Sequence, residues 1–256
     1  MKLIDGKAIA NAVKSEIANE VRKMIDADQK VPHLAAVLVG NDPASETYIA
    51  SKEKACKEVG FTSSIYKLSE QTTEKDLLKT IDFLNNDEEV DGYIVQLPLP
   101  KHIDTNKIVS AIDPKKDVDG FHPQNVGRMV MDMPCFLPAT PAGIMTLLER
   151  SNIETEGKHC VVLGRSNIVG TPAAILLSRN SKKANCTVTL CHSRTKNLKE
   201  LCLSADILIA AIGKPEFVTA DMVKDGVVVI DVGIHRVEDN SEKGYKITGD
   251  VKFDEV

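Results

Sequence analysis

No stretch of the sequence approaches the run of about 18 apolar residues that crosses a membrane. The first residues, MKLIDGKAIANAVKSEI, also lack the apolar core of a signal peptide. A formal net charge of -5 leaves the chain without the strong basic field that favours nucleic acids and anionic membranes. We therefore expect a cytoplasmic protein with no nucleic-acid partner and no membrane partner.

The sequence also lacks any Cys-x-x-Cys pair. Its 6 cysteines are scattered, at Cys56, Cys135, Cys160, Cys186, Cys191 and Cys202. This spacing is typical of neither a zinc site nor a disulfide framework. We expect reduced thiols and no metal site.

The sequence does contain a regular alternation of apolar runs and helix-like segments, in a composition of 43% hydrophobic and 27% charged residues. Strands are predicted at 33–40, 62–69, 91–98, 159–165, 186–191, 206–213 and 226–233, and helices at 6–27, 43–58, 73–85, 104–111, 141–150, 169–180 and 196–204. Several strands are near-continuous runs of Val, Ile, Leu and Ala, which indicates burial on both faces of a parallel sheet. The order of elements predicts an α/β fold.

A domain boundary is predicted where this alternation is interrupted. The stretch FHPQNVGRMVMDMP (121–134) has no clear pattern, and Pro138 follows it. A strand–turn–helix pattern then restarts the alternation. We expect an N-terminal three-layer α/β domain over residues 1–138 and a Rossmann-like domain with a mostly parallel sheet over residues 139–256.

The segment HCVVLGRSNIVGTPAAILL (159–177) has the pattern strand, glycine turn, helix. Gly164 would allow a tight turn, and Gly170 would let the helix start pack closely on the strand. Backbone N–H groups at such a helix start bind anions such as phosphates. Because the glycine spacing differs from the common Gly-x-Gly-x-x-Gly fingerprint, a tight turn without a ligand remains the alternative.

The next predicted strand ends without an acidic residue. The segment His192-Ser193-Arg194-Thr195 follows it, whereas NAD-binding domains usually place Asp or Glu there for the ribose 2′-hydroxyl. A 2′-phosphate would be repelled by an acid and held by Ser193, Arg194 and Arg165. The sequence therefore favours NADP over NAD, unless His192 and Arg194 are merely solvated loop residues.

Two further predicted strands end in glycine, at Gly213 and Gly233. Ligands of open α/β sheets bind beyond the carboxyl ends of the strands. The backbone around Gly213 and Ile234 is therefore predicted to meet the nicotinamide half of the cofactor.

In the N-terminal half, Tyr48 and Lys52 share one face of the helix predicted at 43–58, near a strand end. A lysine beside a tyrosine is a candidate proton-transfer pair. The alternative is an ordinary solvated face, because Lys54 and Glu58 lie on the same helix.

Gln96 ends an apolar predicted strand, where a buried amide needs hydrogen-bond partners from the protein or from a ligand. Asp117 and Asp119 come just before a glycine further along the chain. They are candidate ligand-binding residues, and Asp-Gly turn chemistry is the alternative.

Together these segments resemble the bifunctional methylenetetrahydrofolate dehydrogenase/methenyltetrahydrofolate cyclohydrolase family (FolD type). The matching motifs, in chain order, are Tyr48-x-x-x-Lys52, Val95-Gln96-Leu97-Pro98-Leu99-Pro100, Lys116-Asp117-Val118-Asp119-Gly120, Pro138-x-Thr140-Pro141 and Gly164-Arg165-Ser166-x-Ile168-Val169-Gly170. The resemblance covers essentially the whole chain, and its second and third motifs are specific when found together.

The resemblance implies a homodimer that binds folate in a cleft between its domains and NADP on the C-terminal domain. It implies that Lys52 is the catalytic lysine, that Gln96 holds it, that Tyr48 binds folate beside it and that Asp119 binds the pterin ring. With the residues singled out above, the predicted site comprises Tyr48, Lys52 and Gln96 for catalysis, Tyr48, Gln96, Leu97, Pro98 and Asp119 for the substrate, and Gly164, Arg165, Ser166, Ile168, Gly170, Ser193, Arg194, Gly213, Gly233 and Ile234 for the cofactor.

The predicted function is NADP-dependent oxidation of 5,10-methylenetetrahydrofolate to 5,10-methenyltetrahydrofolate and hydrolysis of that product to 10-formyltetrahydrofolate. The alternatives are an NADP-dependent dehydrogenase of another small acid, similar to shikimate dehydrogenase, and a non-catalytic folate- or nucleotide-binding protein. Family members continue past the position that matches Val256 with a glycine-proline loop and a final helix. Weak activity and reduced stability are expected if the protein itself ends at Val256.

Overall fold

The computed structural model describes residues 2–239 and 244–256. These residues divide into two compact units, Asp5–Leu137 and Pro138–Val256, and the second unit also takes in residues 2–4. The first unit contains α1 (Gly6–Asp26), β1 (His33–Val39), α2 (Pro43–Val59), β2 (Thr62–Leu68), α3 (Glu74–Asn86), β3 (Gly92–Val95), α4 (Thr105–Ala111) and α5 (Pro123–Val130). The second contains α6 (Ala139–Arg150), β4 (His159–Leu163), α7 (Gly170–Ser178), β5 (Thr187–Cys191), α8 (Leu198–Ser204), β6 (Ile207–Ala210), a 3-10 helix (Ala220–Met222), β7 (Val228–Asp231), β8 (His235–Glu238) and β9 (Tyr245–Thr248).

The first unit is built around a parallel sheet with the strand order β2-β1-β3. Alternate residues of a strand face opposite sides of its sheet, and both sides of β1 are apolar. On one side Val37 packs with Leu77 of α3 and Ile108 of α4, and on the other Leu38 packs with Ile49 of α2. Helices therefore cover both faces of the sheet, which is the three-layer arrangement expected from the sequence.

The second unit contains a parallel sheet with the strand order β5-β4-β6-β7. Val162 of β4 packs with Leu148 of α6 and Leu177 of α7 on one side. Val161 packs with Cys202 of α8 on the other. The α/β class and the mostly parallel sheets predicted from the alternating pattern are confirmed.

In each unit the first strand lies between the next two strands in sequence. Where the strand order reverses in this way, a crevice forms at the carboxyl ends of the central strands, and ligands of α/β proteins bind there. Gln96 directly follows β3, and Gly164 directly follows β4. The fold thus places these two predicted site residues at the carboxyl edges of their own sheets.

One predicted irregular stretch is wrong, because residues 123–130 form helix α5. Pro123 occupies the first turn, where a missing N–H costs nothing, and the Nδ1 atom of His122 accepts a hydrogen bond from the Gln124 N–H. Met129 is buried on the inner face of the helix. The helix has only 8 residues, shorter than the roughly 11–18-residue window in which a helical pattern is read from a sequence.

Strands β8 and β9 pair antiparallel, and residues 240–243, which connect them, lie outside the described part of the chain. Within the described residues, no helix combines the length and the apolar character needed to span a bilayer. Nor do the described His, Cys, Asp and Glu side chains gather into a group that could hold a metal ion.

Candidate active site and nucleotide-binding loops

Helix α2 carries Lys52 to the carboxyl edge of the first sheet. The helix begins at Pro43, where the Asp42 carboxylate accepts a hydrogen bond from the Ser45 N–H at 2.8 Å. It ends at Val59, and the next residue, Gly60, has a φ of 88°, in the left-handed region that glycine tolerates. Local sequence therefore fixes both ends of the helix, and with them the position of Lys52 along the helix axis.

Lys52 and Gln96 are in contact. The Lys52 ammonium donates to the Gln96 side-chain oxygen, with an Nζ–Oε1 distance of 3.3 Å. The Gln96 amide nitrogen donates to the Leu97 carbonyl at 2.8 Å, and the Gln96 backbone N–H donates to the Val37 carbonyl at 2.9 Å. The two bonds turn the Gln96 side-chain oxygen toward the lysine, so the half-buried ammonium keeps two further donors.

Tyr48 lies one turn before Lys52 on α2, and 45% of its surface is exposed. The hydrogen bonds of the described residues include none between the Tyr48 hydroxyl and Lys52 or Gln96. The predicted substrate residues Leu97 and Pro98 follow Gln96 directly and are joined by a cis peptide bond. Tyr48 is thus available to a ligand but does not by itself hold the lysine.

The two aspartates before Gly120 have different surroundings. The buried Asp117 carboxylate accepts hydrogen bonds from the N–H groups of Phe121 (3.3 Å) and His122 (2.8 Å). It also accepts from the Asn125 side-chain amide at 2.8 Å. The turn chemistry considered for both residues therefore describes Asp117, which closes the loop that carries Asp119.

Asp119 is half-buried and faces the charge of Lys52. Burial raises the pKa of the Asp119 carboxyl above its usual value, Lys52 acts to lower it, and the negative charge of Asp117 raises it further. The raised pKa means that the desolvation cost outweighs the pull of the lysine. The structure brings Lys52, Gln96 and Asp119 into one neighbourhood, while leaving the Asp119 carboxylate in need of a donor.

In the second unit, two glycines shape the turn after β4. Gly164 has a φ of 110°, and a Cβ atom there would lie 2.0 Å from the Ala211 carbonyl oxygen. A Cβ atom at Gly170 would lie 1.9 Å from the Gly164 carbonyl oxygen. Only glycine fits at either position, because the turn presses against both the end of β6 and the start of α7.

The same turn leaves its side chains exposed. Ser166 Oγ accepts from the Val169 N–H at 3.1 Å and the Gly170 N–H at 3.4 Å, and fixes the loop before α7. Arg165 and Ile168 are exposed beside it. The predicted cofactor residues therefore lie on a closely packed strand–helix turn, in which the Val169 and Gly170 N–H groups already donate to Ser166.

The turn after β5 is closed by its own polar groups. The His192 N–H donates to the Thr195 hydroxyl at 2.8 Å, and the Arg194 N–H donates to the His192 ring at 3.1 Å. His192 is thus more than a solvated loop residue, because its backbone and ring hydrogen bonds shape the turn. The side chains of Ser193 and Arg194 are exposed, and no carboxylate lies at this strand end.

The loops after β6 and β7 use their backbone N–H groups internally. The Gly213 N–H donates to Asp250 at 3.0 Å, and the Gly233 N–H donates to Asp231 at 2.9 Å. The predicted contact of these glycines with the cofactor therefore cannot depend on their N–H groups. Ile234 is 64% exposed and available. The sequence did not single out Asp231 and Asp250, because most of their hydrogen-bond partners lie on distant segments of the chain.

One parallel sheet carries a lysine, an amide and a carboxyl at its edge, and the other is followed by a glycine turn. This combination is typical of a two-domain α/β enzyme that uses a dinucleotide. Comparison with known families is more specific. Residues 138–256 match the NAD(P)-binding domain of tetrahydrofolate dehydrogenase/cyclohydrolase, and residues 4–119 match the catalytic domain of the same family. The chain belongs to the tetrahydrofolate dehydrogenase/cyclohydrolase family, which confirms the family predicted from its motifs.

Individual relatives agree with this assignment. The chain is 61% identical to the Bifunctional protein FolD of Cytophaga hutchinsonii and 60% identical to that of Porphyromonas gingivalis, covering 100% of this chain and 89% and 86% of those proteins. It matches the crystal structure of the FolD dehydrogenase/cyclohydrolase from Campylobacter jejuni with a TM-score of 0.93 and 46% identity, over 100% of this chain and 88% of that one. The Trypanosoma brucei FolD structure, complexed with NADP cofactor and inhibitor, matches with a TM-score of 0.92 and 36% identity, over 99% and 86%.

Proposed function

We propose that the chain oxidises 5,10-methylenetetrahydrofolate with NADP⁺ and hydrolyses the resulting 5,10-methenyltetrahydrofolate to 10-formyltetrahydrofolate. The observation that carries the proposal is the hydrogen bond from Lys52 to Gln96 beside the carboxyl of Asp119, at the carboxyl edge of the first sheet. The bifunctional relatives at 60–61% identity support both activities.

Lys52 is the proton-transfer group of the hydrolytic step. Attack of water on the methenyl carbon releases a proton, and opening of the ring places one on the departing nitrogen. Gln96 orients the ammonium through its side-chain oxygen and leaves the remaining Lys52 protons for water and substrate. Oxidation needs no general acid or base, so there the residues of the first unit orient the folate.

Tyr48, Leu97, Pro98 and Asp119 bind the folate. The amino-pyrimidine edge of a pterin offers N–H donors. Among the described residues, no hydrogen-bond donor to the Asp119 carboxyl is found. The exposed ring of Tyr48 offers an apolar face and a hydroxyl to the same ligand.

The second unit fits NADP. A strand, a glycine turn and a helix start form the kind of turn at which dinucleotide phosphates bind, and at Gly164 and Gly170 a Cβ atom would collide with the turn's own backbone. The absence of an acid after β5 suits a 2′-phosphate. Arg165, Ser166, Ser193 and Arg194 would hold the phosphates, and Ile168, Gly213, Gly233 and Ile234 would line the rest of the cofactor. When bound, the nicotinamide accepts the hydride removed from the one-carbon unit.

We assign folate binding and catalysis to residues 1–138 and NADP binding to residues 139–256. We further propose that the protein is cytoplasmic and forms a homodimer. Light scattering on the purified protein would test the dimer by measuring its molecular mass. The shikimate-dehydrogenase-like and non-catalytic alternatives have no specific observation in their favour, since both units match one folate family.

The test is an absorbance assay of methenyltetrahydrofolate. With methylenetetrahydrofolate as substrate, absorbance should appear with NADP⁺ and much less with NAD⁺, and supplied methenyltetrahydrofolate should decay faster with the protein than without it. A protein that turns over shikimate with NADP⁺ but neither folate, or no substrate at all, would contradict the proposal.

A further inference from the structure

The carboxylate of Asp250 is fully buried and accepts four hydrogen bonds from two segments of the second unit. Its Oδ2 atom accepts from the N–H groups of Ile212 at 2.7 Å and Gly213 at 3.0 Å. Its Oδ1 atom accepts from the Lys214 N–H at 2.9 Å and from His235 Nε2 at 2.7 Å. One side chain therefore fixes three successive amides of the loop after β6 and the first residue of β8.

A second carboxylate fixes Asp250 itself. Asp231, the last residue of β7, accepts from the N–H groups of Asp250 at 2.9 Å and Val251 at 3.0 Å. A Cβ atom at Gly249 would lie 1.8 Å from Asp231 Oδ2, and one at Gly233 would lie 2.3 Å from the Asp250 nitrogen. The segment before Val251 is thus held closely against the carboxyl ends of β6 and β7.

We propose that Asp250 is a positioning residue for the cofactor, which holds the loop of residues 212–214 and the segment around Ile234 in the conformation that receives the nicotinamide half of NADP. Burying a carboxylate costs desolvation free energy, and apolar packing of similar volume often gives equal stability. Its location at the edge where ligands bind argues for a role in shaping that edge. The inference rests on the proposed function, since it presupposes NADP at this edge.

The proposal predicts an effect on one half of the cofactor only. Arg165 and Ser193, which would hold the adenosine phosphates, follow β4 and β5 and have no bond to Asp250 among the described residues. A loop ordered in advance does not have to be ordered on binding, so its loss weakens affinity for any ligand that touches it. Adenosine 2′,5′-bisphosphate lacks the nicotinamide, so its dissociation constant should not change.

The experiment compares Asp250→Asn with Asp206→Asn. Asp206 accepts the His159 N–H at 2.9 Å and pairs with Lys224, at the amino ends of β4 and β6 rather than the carboxyl ends. Dissociation constants for NADPH and for adenosine 2′,5′-bisphosphate are measured by fluorescence and calorimetry, together with KM for NADP⁺ and kcat of methenyltetrahydrofolate hydrolysis. In Asp250→Asn we expect Kd for NADPH and KM for NADP⁺ to rise about tenfold, with Kd for the bisphosphate and kcat of hydrolysis within about twofold of the parent. Asp206→Asn should change none of the four.

Equal weakening of both ligands in Asp250→Asn, or no weakening of either, would overturn the proposal. If the parent protein binds neither ligand, the proposed function fails first, and the positioning role fails with it. Should Asp250→Asn not fold, hydrogen exchange of the parent decides. The amides of residues 212–214 must be protected before any cofactor is added, and exchange as fast as in an open loop would reject the role.

Discussion

At the carboxyl edge of the first sheet, the candidate chemistry is carried by side chains: the Lys52 ammonium, the Gln96 amide and the Asp119 carboxyl. At the corresponding edge of the second sheet the backbone turns dominate. A Cβ atom at Gly164 would lie 2.0 Å from the Ala211 carbonyl oxygen, and the Asp250 carboxylate accepts the Gly213 N–H of the next loop. The first edge presents groups that move protons. The second presents a rigid contour with a few exposed polar side chains.

The difference follows from what each ligand needs. Hydrolysis requires a proton carrier within reach of the reacting carbon, which only a titratable side chain supplies. A dinucleotide requires close approach of its phosphates to backbone and loops that are ordered in advance. Substitutions at the first edge should therefore change turnover, and substitutions at the second should change affinity.

The largest effect expected is on hydrolysis, from Lys52→Met. Removing the proton carrier should lower kcat of methenyltetrahydrofolate hydrolysis by about 100-fold or more. Kd for NADPH should stay within about twofold, because Lys52 belongs to the other edge. Decay of methenyltetrahydrofolate absorbance and NADPH fluorescence measure the two quantities. Lys54→Met is the matched control, since Lys54 lies on the same helix with 78% of its side chain exposed, and near-parental hydrolysis in Lys52→Met would refute the assignment.

The next effect concerns Gly164→Ala, compared with Gly157→Ala. Both glycines have positive φ, but a Cβ atom at Gly157 meets nothing within 4 Å, whereas at Gly164 it meets the Ala211 carbonyl at 2.0 Å. We expect Gly157→Ala to lower the free energy of unfolding by about 1 kcal/mol and Gly164→Ala by about 3 kcal/mol or more, with weaker NADPH binding. Urea denaturation measures both, and equal losses would mean that close approach does not matter at this turn.

Sequence reasoning found the first edge more completely than the second. Gln96 stands out because an amide at the end of an apolar strand is unusual, and Gly164 because a strand and a helix flank it. Asp231 and Asp250 carry no such signal, since their partners lie on distant segments and a local pattern does not encode a long-range hydrogen bond. Helix α5 was missed because its 8 residues are fewer than the roughly 11–18 over which helical periodicity is recognised.

A smaller effect should separate NADP from NAD. Replacing both Arg165 and Ser193 by Ala removes the charged and hydroxyl partners proposed for the 2′-phosphate, and each such bond contributes about 1.5 kcal/mol or more. The ratio of kcat/KM for NADP⁺ over NAD⁺ should fall about tenfold or more. Lys196→Ala removes a positive charge from the same loop and should leave the ratio unchanged. A constant ratio in the double variant would place the 2′-phosphate elsewhere.

A last pair of effects, on stability, should distinguish Asp117 from Asp119. Asp117→Asn puts an amide among three donors and should cost about 1–3 kcal/mol of unfolding free energy. Asp119→Asn should instead raise the free energy of unfolding at neutral pH. Burial raises the folded pKa of Asp119 above its ordinary value of 3.8, so its ionised carboxylate opposes folding.

The effect of Asp119 on the free energy of unfolding should depend on pH. Below the ordinary carboxyl pKa, Asp119 is protonated in both the folded and the unfolded chain, so its charge affects neither. As pH rises through its raised folded pKa, ionisation of the parent lowers stability, and Asp119→Asn escapes that loss. Urea denaturation from pH 4 to 8 should therefore show the variant gaining on the parent as pH rises, while KM for the folate increases because the pterin partner is gone. A stability difference that shrinks with rising pH would mean that Lys52, and not burial, governs this carboxyl.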